Sequence, residues 1–486
     1  MLTLHSRADL TLDNLFRVAW QGEGVDLAPE AVVRIGAARA AFLDLLDSDQ
    51  DLVIYGVTSG YGQNAHLRLT PEERKAHARR PAHAAMASFG EPLPERVARG
   101  MVFARLANFI EGHAAVSPEL ATAVAGLLDG APLPPVPLLG NGCAGEIMAL
   151  SQLLTPLAQT FELGEKESLG LINGSPCAAA LLSDAVLAAR GRLALAIEVF
   201  ALSTEAMLAP LEAYDAALDD LWGDPHQAAV LRELRGYLAE GAAERRPYQA
   251  PVSWRILPRV LGQARRALAQ AEEVAETSLG AVSDNPLFLP PTQPGDKGRV
   301  LSNGGYHNGA AYPALDNLAA TWADLALLCD RHVTKLLDGK VSRLPHQLML
   351  GDGYIGCVGF AAAGYAEQAR QAAQRSFLPG SEGGGFGQND VAVPTFLAWR
   401  KENEAGRCLE AGLALVAAIA SQALHVTGRA APPRLAPLLS EVRGHFPPVT
   451  ERRPVGADSE RLRACFTAKA YAGAGDALAA PRGRLQ

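Results

Sequence analysis

From about Ala178 to Leu279 the chain reads as a succession of long, alanine-rich helices, and this stretch limits the fold more than any other. It is interrupted near Gly223-Asp224-Pro225 and by a polar segment, Glu244 to Pro251. Further long helical runs cover Pro313 to Leu337 and Ala392 to Val426, with apolar residues at the three- and four-residue spacing of a helix face. Frequent alanine and only 6% aromatic residues favour close-packed helices over sheet. A chain of 486 residues is long for one compact core, so subdomains or one elongated helical body are expected. The predicted fold is mainly α. Residues 1–200 form a loop-rich N-terminal region carrying the pocket loops, 201–450 a central long-helix bundle, and 451–486 a peripheral C-terminal tail.

The net charge of −8, with no basic block, argues against nucleic-acid binding, which needs a clustered positive face. No uninterrupted apolar run reaches the roughly 20 residues of a membrane span. The opening MLTLHSRADLTLDNL carries acids early and lacks a secretory-type apolar core. A soluble, cytoplasmic protein is expected. Six scattered cysteines (143, 177, 329, 357, 408 and 465), with no CxxC and no histidine at metal spacing, read as reduced thiols, and no metal is expected.

Several glycine loops break the helical pattern. Gly140-Asn141-Gly142-Cys143-Ala144-Gly145-Glu146 opens onto a helical run from Ile147 to Phe161. Its glycines permit a tight turn, and the helix aims unpaired N–H groups and its positive end back into the loop. Ile54 to Gly62 places Tyr55 and Tyr61 between glycines, as either a lid exposing a phenol or a surface turn. His83 lies among alanines, where a histidine is commonly structural. Leu171 to Pro176, Ser283 to Leu287 and Asn303 to His307 are turns before or between helices, and Gly380 to Asp390 is the loop richest in glycine.

Taken in order, LTLDNL, YGVTSGYG, HAA…GEPL, the glycine loop, SLGLINGS, WRILPRVLG, AVSDNPL and NGGYH resemble the histidine and phenylalanine ammonia-lyase family, including tyrosine lyases and aminomutases. The likeness runs from about Leu4 to Val449. It implies a helical, homotetrameric enzyme acting on a small molecule. The family's electrophile, methylidene-imidazolone (MIO), forms from an internal Ala-Ser-Gly with loss of two waters, the second from the serine side chain.

At that place the sequence departs from the pattern. With GEIMAL set on the family's GDLAPL, the triad positions fall on Cys143, Ala144 and Gly145. Ala144 has no β-leaving group. The loop is one residue shorter than the family's, and no serine appears in either register this leaves. MIO is not expected. Loss of sulfide from Cys143 is the alternative route to a dehydro group, but it needs attack by the Ala144 nitrogen, with a Cβ crowding the ring. Cys143 is otherwise either an inert buried thiol or a nucleophile activated by the helix N-terminus.

The resemblance assigns the other positions one by one. Tyr55 matches the lid tyrosine that serves as acid or base, and His83 a histidine contacting the substrate side chain. Asn173 matches the asparagine that hydrogen-bonds the substrate carboxylate or the electrophile, and Arg255 the arginine that pairs with the carboxylate. Val252 replaces a second catalytic tyrosine. Tyr306 stands at an aromatic position beside the prosthetic group, as a substitute proton carrier or a packing residue. Gln388 or Asn389 matches a late glutamine or acidic position.

The expectation is an MIO-independent enzyme that uses tyrosine acid–base chemistry on an activated, carboxylate-bearing substrate, in biosynthesis of a specialised metabolite. The alternatives are a non-catalytic binding or partner subunit of an active paralogue, and an MIO-type aromatic amino acid ammonia-lyase.

Overall fold

The computed structural model describes residues 1–49, 51–380 and 387–479. The centre of the glycine-rich loop read at Gly380 to Asp390, residues 381–386, lies outside them. The architecture is mainly helical, as the resemblance implies. Strands among the described residues form two small pairs: β1 (Leu2–Leu4) parallel to β2 (Val25–Leu27), and β3 (Leu287–Leu289) antiparallel to β4 (Arg299–Leu301).

The chain divides into two compact units. The first comprises Met1–Asp184, Glu272–Ala314 and Ser376–Arg400; the second comprises Ala185–Ala271, Leu315–Arg375 and Lys401–Gln486. Neither is a continuous segment, so the linear division at 200 and 450 does not follow this assembly.

In the first unit lie α1 (Pro29–Ser48), α2 (Pro71–Ala78), α3 (Glu95–Phe109), α4 (Pro118–Gly126), α5 (Ile147–Leu154), α6 (Glu167–Ile172) and the start of α7 (Pro176–Met207). Local chemistry sets several starts. Thr70 and Glu73 form a reciprocal capping box on α2, and the Ser117 hydroxyl accepts the Leu120 N–H with Pro118 at the first position of α4. The run predicted to continue to Phe161 stops being α-helical at Leu154. Pro156 brings no N–H, and residues 155–159 tighten into a 3-10 turn. Helix α3 is the unit's core, buried from Val97 to Phe109 with Arg99, Arg105 and Asn108 included. Phe42 on α1 meets Phe288 on β3 edge-on, with ring centres 5.4 Å apart. Ile54 and Val57 join that cluster and fix the base of the tyrosine loop.

The second unit carries the rest of α7, α8 (Pro225–Leu238), α9 (Val252–Arg255), most of α10 (Leu257–Leu279) and α11 (Ala311–Leu337), and α12 (Val358–Ala372). Most of α13 (Thr395–Val426), α14 (Ala436–His445) and α15 (Gly456–Ala479) complete it. Arg192 on α7 pairs with Glu410 at 2.8 Å and Glu402 at 3.0 Å, and the Trp322 indole donates to Glu402. The C-terminal stretch predicted to be peripheral carries α15, whose Leu462, Phe466 and Ala470 are fully buried. Their four-residue spacing makes one apolar stripe within an otherwise polar sequence. Gly191 admits that stripe, because a Cβ there would stand 1.8 Å from the Ala470 carbonyl oxygen. Helix α13 is long and apolar enough to cross a membrane by composition, but 89% of its apolar window is buried inside the protein, which accounts for that composition.

Candidate active site

The glycine loop is held from both sides. The Asn141 amide donates to the Pro137 carbonyl at 2.7 Å, the Cys143 carbonyl accepts the Val393 N–H at 3.3 Å, and the Gly145 carbonyl accepts the Gly174 N–H at 3.3 Å. Gly140 and Gly145 have φ of 77° and 67°, and Glu146 follows at 56°. A left-handed glutamate costs about 1–3 kcal/mol, so something must hold it. Its carboxyl oxygens accept the Cys177 and Ala178 N–H groups, at 2.6 and 2.8 Å, from the first turn of α7. Glu146 therefore caps a helix beginning thirty residues later and ties it to the loop. Burial pushes its pKa up to about 8, against the pull of those N–H groups and of Arg105.

The Cys143 thiol is pushed up by burial and by Glu146, against the nearby N–H groups of Met148 and Ile147. Burial outweighs the helix N-terminus, which favours the protonated thiol over a thiolate nucleophile.

A second buried cluster fixes Asn173, the residue after α6. Arg105 donates to the Asn173 carbonyl at 2.5 Å and to the Gly170 carbonyl, satisfying the last carbonyls of α6. It also pairs with Asp284 at 3.4 Å, and Asp284 receives Lys166, which in turn donates to the Ala114 carbonyl at 3.0 Å. Asn108 accepts the Ser283 and Asp284 N–H groups at 2.7 and 2.9 Å. The Asn173 amide nitrogen donates to the Asn285 carbonyl at 2.8 Å, just before the cis Asn285–Pro286 bond. The Ser283 hydroxyl accepts the Ser175 N–H at 2.9 Å, and the Ser175 hydroxyl donates to the Gly305 carbonyl at 3.2 Å beside Tyr306. These links converge on one point. A Cβ on Gly145 would stand 2.6 Å from Asn173 Oδ1 and 3.5 Å from Tyr306 Cβ.

The tyrosine loop borders this cluster. The Tyr55 hydroxyl accepts the Gly62 N–H at 3.2 Å, and Gly56 approaches Leu169 on α6 so closely that a Cβ would meet it at 2.3 Å. Tyr61 lies beside His77 on α2, with ring centres 4.8 Å apart. His83 is exposed on a short 3-10 turn, and a few residues on the Ser88 carbonyl accepts the Gln152 amide of α5 at 2.8 Å. Gln388 is exposed and Asn389 half-buried, a few residues before Val393, which reaches Cys143.

Arg255 belongs to the second unit, half-buried on α9, with its Nε donating to the Ala250 carbonyl at 3.0 Å; Val252 on the same turn is 56% exposed. Beneath α9, Trp254 stacks on His332 with ring centres 3.8 Å apart. His332 Nε2 faces the Ser253 carbonyl at 3.2 Å, so it carries the hydrogen, and Nδ1 accepts from the Ser203 hydroxyl at 2.9 Å. Burial pushes the His332 pKa down to about 3, which keeps it in this neutral form.

Sequence reasoning did not find Arg105, Lys166, Asp284 or Glu146 as parts of the site. The available signal was a charge inside an apolar helix, Arg105 within GMVFARLANFI.

A sequence model of the aromatic amino acid lyase family matches residues 10–159 and 157–445. The chain belongs to that family. The histidine ammonia-lyase of Deinococcus radiodurans is 31% identical over 74% of this chain and 73% of its own, and that of Symbiobacterium thermophilum is 27% identical over 94% of each. The ergothioneine-degrading Ergothionase of Treponema denticola, solved with desmethyl-ergothioneine sulfonic acid, shares the fold with a TM-score of 0.87 at 19% identity, covering 96% of this chain and 99% of its own. Histidine ammonia-lyase of Trypanosoma cruzi gives 0.83 at 22% identity, covering 98% and 95%.

The family's MIO is built from three residues, and those at the matching positions do not fit it. Gly145 retains the left-handed backbone that suits glycine, but Ala144 offers a methyl where ring maturation must expel a hydroxyl.

Proposed function

We propose that this chain is an MIO-independent enzyme of the aromatic amino acid lyase family. Tyr55 acts as general acid or base in elimination, addition, isomerisation or cyclisation of a small activated substrate. Arg255 pairs with its carboxylate, His83 contacts its side chain, Gln388 and Asn389 border the site, and Tyr306 serves as the second proton carrier. The observation that carries this reading is the methyl of Ala144 beside a cluster, Gly145, Asn173 and Tyr306, that a buried hydrogen-bond network still holds together. An activated substrate needs no electrophile, so loss of the serine is compatible with turnover. Family membership supports lyase or aminomutase-type chemistry as the broader class.

The intact mass of the purified chain, with peptide mapping across Pro137 to Phe161, tests the reading. An unmodified mass is expected. Loss of one water plus hydrogen sulfide at Gly142-Cys143-Ala144 would overturn it in favour of the MIO-type ammonia-lyase, the reading favoured by the histidine ammonia-lyase relatives. Tyr55→Phe is expected to abolish turnover while leaving the oligomer intact; unchanged turnover sinks the Tyr55 assignment.

The proposal includes a homotetramer in the cytoplasm. Helix α12 leaves Phe360 80% exposed, and Phe360 and Tyr354 line a hollow of about 710 Å³. An apolar face of this kind fits another copy of the chain. A monomer in light scattering would remove this part, and co-purification of a serine-bearing relative would favour the partner-subunit alternative.

A further inference from the structure

We infer that Tyr214 and His332 are positioning residues: by holding the backbone carbonyls of the turn that carries Arg255, they aim its guanidinium at the substrate carboxylate. This deepens the proposed function and rests on it for the pairing of Arg255 with a carboxylate. Arg255 ends α9, a helix of only four residues. A single turn leaves most of its carbonyls to outside donors. Two buried side chains of the same unit supply them. The Tyr214 hydroxyl donates to the Trp254 carbonyl at 2.8 Å, and His332 Nε2 to the Ser253 carbonyl at 3.2 Å. These are the two carbonyls that immediately precede Arg255.

Both donors are themselves fixed. The Ser203 hydroxyl donates to His332 Nδ1 at 2.9 Å, Trp254 lies parallel to the imidazole within 12°, and Phe200 meets it edge-on with ring centres 5.0 Å apart. The Trp254 indole donates to the Ser203 carbonyl at 3.4 Å, which closes this group on itself. The Tyr214 hydroxyl lies 3.4 Å from that of Thr204, which donates to the Phe200 carbonyl at 2.8 Å. All five side chains, Ser203, Thr204, Tyr214, Trp254 and His332, are fully buried. Burial pushes the Tyr214 phenol up and the His332 imidazole down, so both stay neutral hydrogen donors. Arg255 is placed differently. Among the described residues its guanidinium makes one hydrogen bond, from Nε to the Ala250 carbonyl at 3.0 Å. That bond engages the stem of the fork and leaves both Nη groups for a ligand, the arrangement a bidentate carboxylate fits. Arg192 and Arg105, in contrast, pair with carboxylates of the chain itself. A guanidinium fixed before the ligand arrives loses less freedom on binding, so the buried platform acts on affinity through Arg255.

Calorimetric titration of the full chain with 3-phenylpropanoate and imidazole-4-propanoate, each against its neutral carboxamide, tests this without knowledge of the reaction. The wild-type chain is expected to bind at least one carboxylate about tenfold or more tightly than its amide. Tyr214→Phe and His332→Leu should each weaken carboxylate binding by about tenfold and leave amide binding unchanged, so that the preference disappears. His332→Gln, which still offers an N–H to the Ser253 carbonyl, should keep the larger part of it. If the leucine variant does not fold, Tyr214→Phe decides the matter, since it removes one oxygen and keeps the ring. An unchanged preference in Tyr214→Phe, or an equal loss of carboxylate and amide binding, overturns the inference and leaves the Arg255 assignment standing. A wild-type chain that prefers neither carboxylate to its amide removes the Arg255 assignment itself.

Discussion

Arg192 in the second unit and Arg105 in the first are both fully buried guanidinium groups, yet they are used differently. Arg192 meets two carboxylates, Glu402 and Glu410, on a neighbouring helix, and their charges hold its pKa above the ordinary arginine value despite burial. Arg105 shares Asp284 with Lys166 and aims its other donors at the carbonyls of a turn; burial pulls its pKa down. Buried side-chain atoms without a hydrogen-bond partner occur in both units, Arg246 Nε among them in the second. Ser88, Asn141, Ser151, Thr155 and Asn173 each bury one in the first unit, near the glycine loop or on the helix it opens. Non-glycine residues with positive φ occur in both units, Ala115, Glu146 and Lys166 in the first and Leu208, Glu240, Arg343, Gln347 and Leu348 in the second, so what separates the two is how the buried guanidinium is answered: by two carboxylates in one, and by a shared carboxylate and backbone carbonyls in the other.

The largest effect should come from breaking the scaffold pair. Arg192→Met strands two buried glutamates and is expected to cost roughly 3–5 kcal/mol in denaturant unfolding, or to abolish soluble yield. Gly145→Ala should cost less, roughly 1–3 kcal/mol, from a left-handed alanine pressed against Asn173. Its damage should stay local, with hydrogen exchange altered around the glycine loop and unchanged in α13. If the alanine variant loses as much stability as the arginine variant, the contrast between a local glycine turn and a buried charge pair fails.

The smallest and most diagnostic effect is on pH dependence, where the two units should oppose each other. Glu146 has a raised folded pKa, about 8. The native state therefore keeps a proton that the unfolded chain releases, and its contribution is fully present below about pH 4.5 and lost as pH rises towards 8, by at most about 1.4 kcal/mol per unit. His332 has a depressed folded pKa, about 3. Its contribution is fully present above about pH 6.5 and declines as pH falls towards 3. Unfolding free energies measured across pH 4–9 should show Glu146→Gln flattening the alkaline decline and His332→Gln flattening the acid one. A single variant that flattens both would tie the two slopes to one cause and remove the contrast.

The parts of this molecule that were readable from sequence are those with a local cause. Long helices were visible because alanine and apolar spacing act within a few residues; their ends shifted by a few residues, as where the predicted start at Ala392 falls at Thr395, and by more where Pro156 stops the run predicted to reach Phe161. Gly145, Asn173 and Tyr306 were singled out by the family resemblance of motifs taken in order, and the structure places these three together. Glu146 reads locally as an ordinary first-turn acid; that its carboxyl seals α7 depends on a contact thirty residues away. Asp284 lies 179 residues from Arg105 in the chain, and no local pattern could pair them.

The interleaving of the two units has a consequence for how such a protein can be cut, copied or recombined. The chain passes from one unit to the other five times, at residues 184/185, 271/272, 314/315, 375/376 and 400/401. No single contiguous stretch of the gene encodes either unit, so neither can be expressed as a fragment or exchanged with a relative by one crossover. Synthesis must reach Arg400 before the first unit has all its pieces, although Met1–Asp184 emerges first.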